Sequence, residues 1–210
     1  MGSAVGAQES AFIGGYCYYL KFLYNLNKRM EYYILFQGPI EKESSLALIN
    51  ALLEANGNEK VKHITILFSS KGGSIYYGFD IATVIKNLEK QVRIHATNEV
   101  SSIANIIYLS TEERSAESYA KFFLHGASIN GDMNLNLEDL KEQVSSIEVQ
   151  NGRLAKFISE ITGISLKDVK EMMSARKSLS DEVAFGANIV REVKEEKIPA
   201  GALRKDVIFV

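Results

Sequence analysis

His63-Ile-Thr-Ile-Leu-Phe-Ser-Ser-Lys-Gly-Gly-Ser74 (HITILFSSKGGS) reads as a strand running into a turn. His63–Phe68 is rich in β-branched and aromatic side chains, which suit a packed, pleated strand. Ser69–Ser74 breaks the pattern with Gly72-Gly73. Beyond it Ile81, Val84, Ile85 and Leu88 recur at helical spacing. The same alternation continues on both sides. Upstream, Tyr32–Phe36 (YYILF) is a strand closed by Gly38-Pro39. Leu46, Ile49, Leu52 and Leu53 then mark a helix that Asn56-Gly57-Asn58 ends. Downstream, Val92–Thr97 is a third strand, Ile103–Leu109 an apolar helix, and Lys121–Leu124 a short strand ending at His125. Asn134–Ile161 is a long helical stretch, stopped by Thr162-Gly163, with Leu140, Val144, Ile147, Leu154, Phe157 and Ile161 near one stripe. Ser165–Met173 and Ser180–Phe185 are shorter helices. Strands alternating with helices argue for an α/β fold with a mainly parallel sheet. Neither proline, Pro39 or Pro199, falls inside an element.

The 210 residues suit a single full-sized core, here expected over 31–210 behind an N-terminal extension, residues 1–30. Apolar residues make up 46% and charged residues 24%, ordinary for a soluble globular chain. A net charge of -2 gives no basic footprint for nucleic acid. The one cysteine, Cys17, excludes an internal disulfide and fits a reducing compartment, so a cytoplasmic location is expected. Ala11–Leu26 is aromatic-rich, but Lys21 interrupts it and it is shorter than the roughly 20 apolar residues of a membrane span. It is expected to pack on this chain or a neighbouring copy, not to enter a membrane. His-x-x-x-His, Cys-x-x-Cys and phosphate-loop patterns are all missing, so neither metal nor cofactor is expected.

Two turns carry possible chemistry. In Ser70-Lys71-Gly72-Gly73-Ser74, paired glycines let another group approach closely and can aim a free N–H at a developing oxyanion. Taken alone this reads as a plain tight turn. In Asn98-Glu99-Val100-Ser101-Ser102-Ile103, a serine sits where a strand meets an apolar helix, with the Ile103 N–H among that helix's unpaired donors. Taken alone, Ser101 or Ser102 reads as a helix cap. His125 closes a strand, where open α/β sheets build their sites. His63 reads as a surface residue and His95 as a packed sheet histidine.

In order and together, these segments resemble the proteolytic subunit of the Clp protease family, from about Tyr32 to Val193. Ile34-Leu-Phe-Gln-Gly-Pro-Ile40 is similar to the family's first strand and turn. Ser69-Ser-Lys-Gly-Gly-Ser74 stands where the family has Asn-Ser-Pro-Gly-Gly-Ser. Asn98-Glu-Val-Ser-Ser-Ile-Ala-Asn105 stands where it has Gly-x-Ala-Ala-Ser-Met-Gly-Ala, and Phe123-Leu-His125 where it has Met-Ile-His. Gly152-Arg-Leu and Thr162-Gly163 match the long helix, and Leu179-Ser180, Glu182 and Gly186 the segment after it.

The resemblance implies stacked ββα units of the ClpP/crotonase type with a protruding handle helix. It implies a serine endopeptidase acting on peptides or unfolded proteins, with Ser102 as nucleophile, His125 as base, and the N–H groups of Gly73 and Ile103 as oxyanion hole. It further implies a homo-oligomer of stacked heptameric rings that docks an ATP-driven AAA+ unfoldase. The departures are specific. The family's catalytic aspartate falls on Arg176, or on Lys177 with a shift of one residue. Asp181, Glu171 and Asp168 are the nearby acids, and Asp181 is the candidate third member. Asn98 replaces a glycine and Lys71 a proline. A catalytically silent structural subunit, or a crotonase-like acyl-coenzyme A enzyme, are the alternatives.

Overall fold

A computed structural model describes residues 31–129 and 136–209. The aromatic segment Ala11–Leu26, the rest of the expected extension 1–30 and the expected helix start at Asn134 lie outside the described residues.

The elements in chain order are β1 (Glu31–Gln37), α1 (Lys42–Gly57), β2 (His63–Ser70), α2 (Ile75–Asn87), β3 (Gln91–Ser101), α3 (Ala104–Tyr108), β4 (Glu113–Ala116), β5 (Lys121–Phe123), α4 (Leu137–Thr162), α5 (Leu166–Ala175), β6 (Ser178–Ser180), α6 (Asp181–Gly186), β7 (Glu192–Val193) and β8 (Leu203–Ile208). The sheet runs β6-β5-β3-β2-β1-β8, with β4 on β3 and β7 on β4. Every pairing is parallel except β5 with β6.

The first three strands are two-faced. Tyr32, Ile34, Phe36, Ile64, Ile66, Phe68, Val92, Ile94 and Ala96 alternate onto one face and form the core with Leu48, Leu52, Ile81 and Ile85 of α1 and α2. The partners Phe36 and Phe68 stack at 5.4 Å between ring centroids. The intervening residues carry a polar network on the other face: Thr65 donates to Glu31, and Arg93 bridges Glu31 and Glu113. Period-two alternation therefore sorts one strand into an apolar and a hydrogen-bonded side.

β3 is longer than its apolar stretch because it serves two neighbours. Arg93–Ala96 pairs with β4, and Glu99–Ser101 pairs with β5. A register irregularity opposite Phe68–Ser70 lets the strand bend between them. α4 has a reciprocal cap at Asn136 and Asp139 and ends on Gly163 in the left-handed conformation, φ 79. Its second half packs through Leu154, Ala155 and Ile158. Leu137, Leu140, Val144 and Val149 of its first half are exposed, as on a handle. The short strands β4, β6 and β7 and the charged edge strand β8 (LRKDVI) carry no periodic apolar signal; pairing with neighbours creates them.

Candidate active site

Immediately after β3, Ser102 takes a left-handed backbone with φ 59. For a serine this conformation costs on the order of 1 kcal/mol, so its surroundings must impose it. Ser102 N–H donates to Phe123 O at 2.9 Å, and Ser102 O accepts from Asn105 N at 3.1 Å. The fully buried Asn105 side chain adds two bonds, Nδ2 donating to Ser102 O and to Phe123 O, each at 3.0 Å. Both neighbours are carbonyl oxygens, so the amide nitrogen must face them. Among the described residues, Asn105 Oδ1 has no partner. α3 has only five residues, too few for a large axial dipole, so the local donor at Ile103 matters more than the helix.

Gly72 and Gly73 approach the same point. Gly72 sits at φ 94, and a Cβ on it would lie 2.6 Å from Ser102 Cβ. Gly73 bridges Ile40: Ile40 N–H donates to Gly72 O at 2.8 Å and Ser74 N–H to Ile40 O at 2.7 Å. In such a parallel bridge the central residue's own N–H points away from its partner, here toward the β3 side. Gly73 is exposed, and neither its N–H nor that of Ile103 has an acceptor among the described residues.

His125 lies two residues beyond the Phe123 carbonyl that anchors Ser102, and its ring packs on Phe123 at 5.1 Å between centroids. Nδ1 is 2.7 Å from Gly126 O. A carbonyl can only accept, so Nδ1 carries the proton and Nε2 of the neutral ring keeps its lone pair. Ser102 Oγ makes no hydrogen bond to His125, or to any other group, among the described residues.

No carboxylate among the described residues bonds this imidazole. Asp181 follows Ser180, which the antiparallel register sets opposite Lys121. That is the end of β5 remote from His125, and Asp181 there opens α6. Asp168 accepts from Ser165 Oγ at the start of α5, and Glu171 pairs with Lys167. Arg176 ends α5 in the left-handed conformation, φ 50, and lines a cavity of about 530 Å³ that also reaches His125, Gly126, Asn151 and Lys170. Glu99 is engaged elsewhere: it accepts from Ser101 Oγ at 2.7 Å and pairs with Lys121 at 3.1 Å. Burial pushes its carboxyl up, but Ser101, Lys121 and Lys71 outweigh burial and hold it below the ordinary range.

A second cavity of similar size, about 570 Å³, lies along β4 at the polar face of the sheet. There His95, 1% exposed, contacts Ser115 Oγ through Nδ1 at 2.9 Å and Glu117 Oε1 through Nε2 at 3.1 Å. The composition imitates a triad, but Ser115 sits in a regular strand flanked by β3 and β7, so the neighbouring backbone donors are already paired. The charges around it are paired too, Arg191 with Glu112 and Lys194 with Glu192. His95 is the packed sheet histidine expected from its position. The residue that sequence reasoning missed is Asn105, and the signal was present: an amide inside the otherwise apolar Ile103–Leu109.

A family model described as Clp protease matches residues 21–197. The chain belongs to the Clp protease family. The match begins upstream of Tyr32, so the similarity reaches into the N-terminal segment. Among curated proteins, the chain is 26% identical over 143 residues to ATP-dependent Clp protease proteolytic subunit 2 of Borreliella burgdorferi, covering 67% of this chain and 68% of that one. Among solved structures, a single-substitution variant of ClpP1 from Listeria monocytogenes superposes with a TM-score of 0.71 at 23% identity, covering 83% of this chain and 96% of that one. That likeness shows the ClpP/crotonase-like fold. Among the described residues, no helix is long and apolar enough to cross a membrane.

Proposed function

We propose that this Clp-family chain is a serine peptidase that works with a backbone carbonyl where a triad has its acid. One observation carries the reading. Ser102 is held in a strained turn by the Phe123 carbonyl, two residues from His125 and beside two N–H groups that have no acceptor among the described residues. Strain imposed by surrounding hydrogen bonds at a serine next to free donors is the arrangement of a nucleophile turn.

The steps follow from these groups. A peptide lies extended against the open edge at Gly73, pairing through its backbone. A movement of the His125 ring brings Nε2 to the Ser102 hydroxyl and removes its proton as Oγ forms a bond to the peptide carbonyl carbon. The carbonyl oxygen gains the electron pair and is held by the Gly73 and Ile103 N–H groups. His125 returns the proton to the amide nitrogen as the C–N bond breaks, leaving an ester on Ser102. Water, deprotonated by His125, hydrolyses the ester. Gly126 O holds Nδ1–H and so the tautomer, but it contributes no negative charge to the imidazolium. Turnover is therefore slow, by up to about 10⁴-fold on the scale of losing the acid of a complete triad.

The exposed Leu137, Leu140, Val144 and Val149 support packing of the α4 handle against other copies, in stacked rings that receive unfolded protein from an AAA+ unfoldase. A second reading is favoured by Ser102 Oγ, which has no hydrogen bond among the described residues, and by Arg176 in the His125 cavity: a catalytically silent ring subunit. A fluorophosphonate serine probe separates the two. Labelling that disappears in Ser102→Ala supports the peptidase; intact assembly with no labelling of the unmutated chain supports the silent subunit.

A further inference from the structure

We infer that the cavity beside His125 selects substrates carrying an acidic side chain next to the reacting bond. The inference rests on the reading of Ser102 and His125 as the reacting pair, but its binding component stands apart from catalysis.

The cavity walls come from the strand end at His125, Gly126 and Ala127, from α4 and from α5. Two cations line it, Lys170 and Arg176, against one acid, Glu148. Among the described residues, neither cationic side chain makes an ion pair or a hydrogen bond. Two other surface lysines of these helices are paired, Lys156 with Glu160 and Lys167 with Glu171. Charges free of partners in a cavity are available to a ligand at no cost in broken contacts.

Two further features point into the same space. Arg176 leaves the helix in the left-handed conformation, φ 50, which sets it at the cavity instead of continuing the turn. Asn151 Oδ1 accepts Ala127 N–H at 2.6 Å, so its orientation is fixed and its NH₂ is left as a donor. A guanidinium, an ammonium and an amide NH₂ around one cavity are a donor set for a carboxylate. Met173, a buried lining residue, would pack on the methylene stem of such a side chain. A neutral or basic side chain there would leave the donors unmatched or repelled.

The probe is a pair of fluorescent ten-residue peptides, capped at both ends and differing only by Glu or Gln at one central position. The caps remove terminal carboxylates, so any difference belongs to the side chain. Binding is measured by anisotropy on the assembled Ser102→Ala protein, and hydrolysis on the unmutated protein. The Glu peptide should bind roughly threefold to tenfold more tightly than the Gln peptide, the range for two partly exposed ion pairs, with the preference shrinking in high salt. Lys170→Glu/Arg176→Glu should invert the ratio. Equal binding of the two peptides, or a ratio that the double charge reversal leaves unchanged, overturns the inference. Tighter binding of the Glu peptide without Ser102 labelling would keep the anion site and remove the peptidase.

Discussion

Truncating Asn105 to alanine tests whether this side chain clamps the Ser102 turn to the strand that ends at His125. The substitution removes two hydrogen bonds of 3.0 Å, to Ser102 O and Phe123 O, each worth about 1 kcal/mol net. Neither carbonyl is stranded. Ser102 O keeps the Asn105 N–H, and Phe123 O keeps the Ser102 N–H. Removing the orphaned Oδ1 offsets on the order of 1 kcal/mol, while the lost buried atoms add about as much again. The net expectation is a loss of about 1–2 kcal/mol, or roughly 2–8 °C in Tm for a chain of this size. Asn105→Asp is the sharper variant. It sets carboxylate oxygens against both carbonyls in a fully buried position, and should cost about 3 kcal/mol or more. Thermal melts at matched protein concentration give the stability order. Below the transition, fluorophosphonate labelling of Ser102 should fall about tenfold in Asn105→Ala, because the relaxed turn no longer holds the nucleophile in place. An aspartate variant as stable as the alanine variant would refute the hydrogen-bond assignment. Unchanged labelling in Asn105→Ala would refute its positioning role.

Gly72→Ala should abolish labelling while the fold survives. Its Cβ would sit 2.6 Å from Ser102 Cβ and 2.7 Å from Ser101 O at a backbone φ of 94, so the serine turn must move; circular dichroism confirms the fold and the probe reads the site. Glu99→Gln should flatten the acid limb of the stability curve. The Glu99 carboxyl is held below its ordinary 4.5 in the folded chain, so its contribution is complete above that value and is lost as pH falls through the lower folded value. Melts from neutral pH downward should show the unmutated chain losing more stability than the glutamine variant.

The alternation of strands and helices, the two glycine- and serine-bearing turns and the histidine at a strand end were legible along the chain. Local backbone preference and apolar period act over a few residues, and the parallel α/β sheet follows from them. The Clp-family motifs placed Ser102, His125, Gly73 and Ile103 in one neighbourhood, and the structure brings their turns together through the Phe123 carbonyl and the Gly72–Ser102 contact. Other features depended on partners distant along the chain. The left-handed angle of Ser102 is imposed by Phe123 and Asn105, and no property of the peptide Ser101-Ser102 announces it. Asp181 is the acid nearest in sequence to the expected position, but the antiparallel register of β5 and β6 carries it to the opposite end from His125. The imidazole meets Gly126 O instead, a backbone atom that every residue possesses and that no side-chain pattern can single out. Which way a strand pairs, and which buried carbonyl a ring finds, are settled by packing of the whole chain; the sequence alone determined which elements would be there to pack.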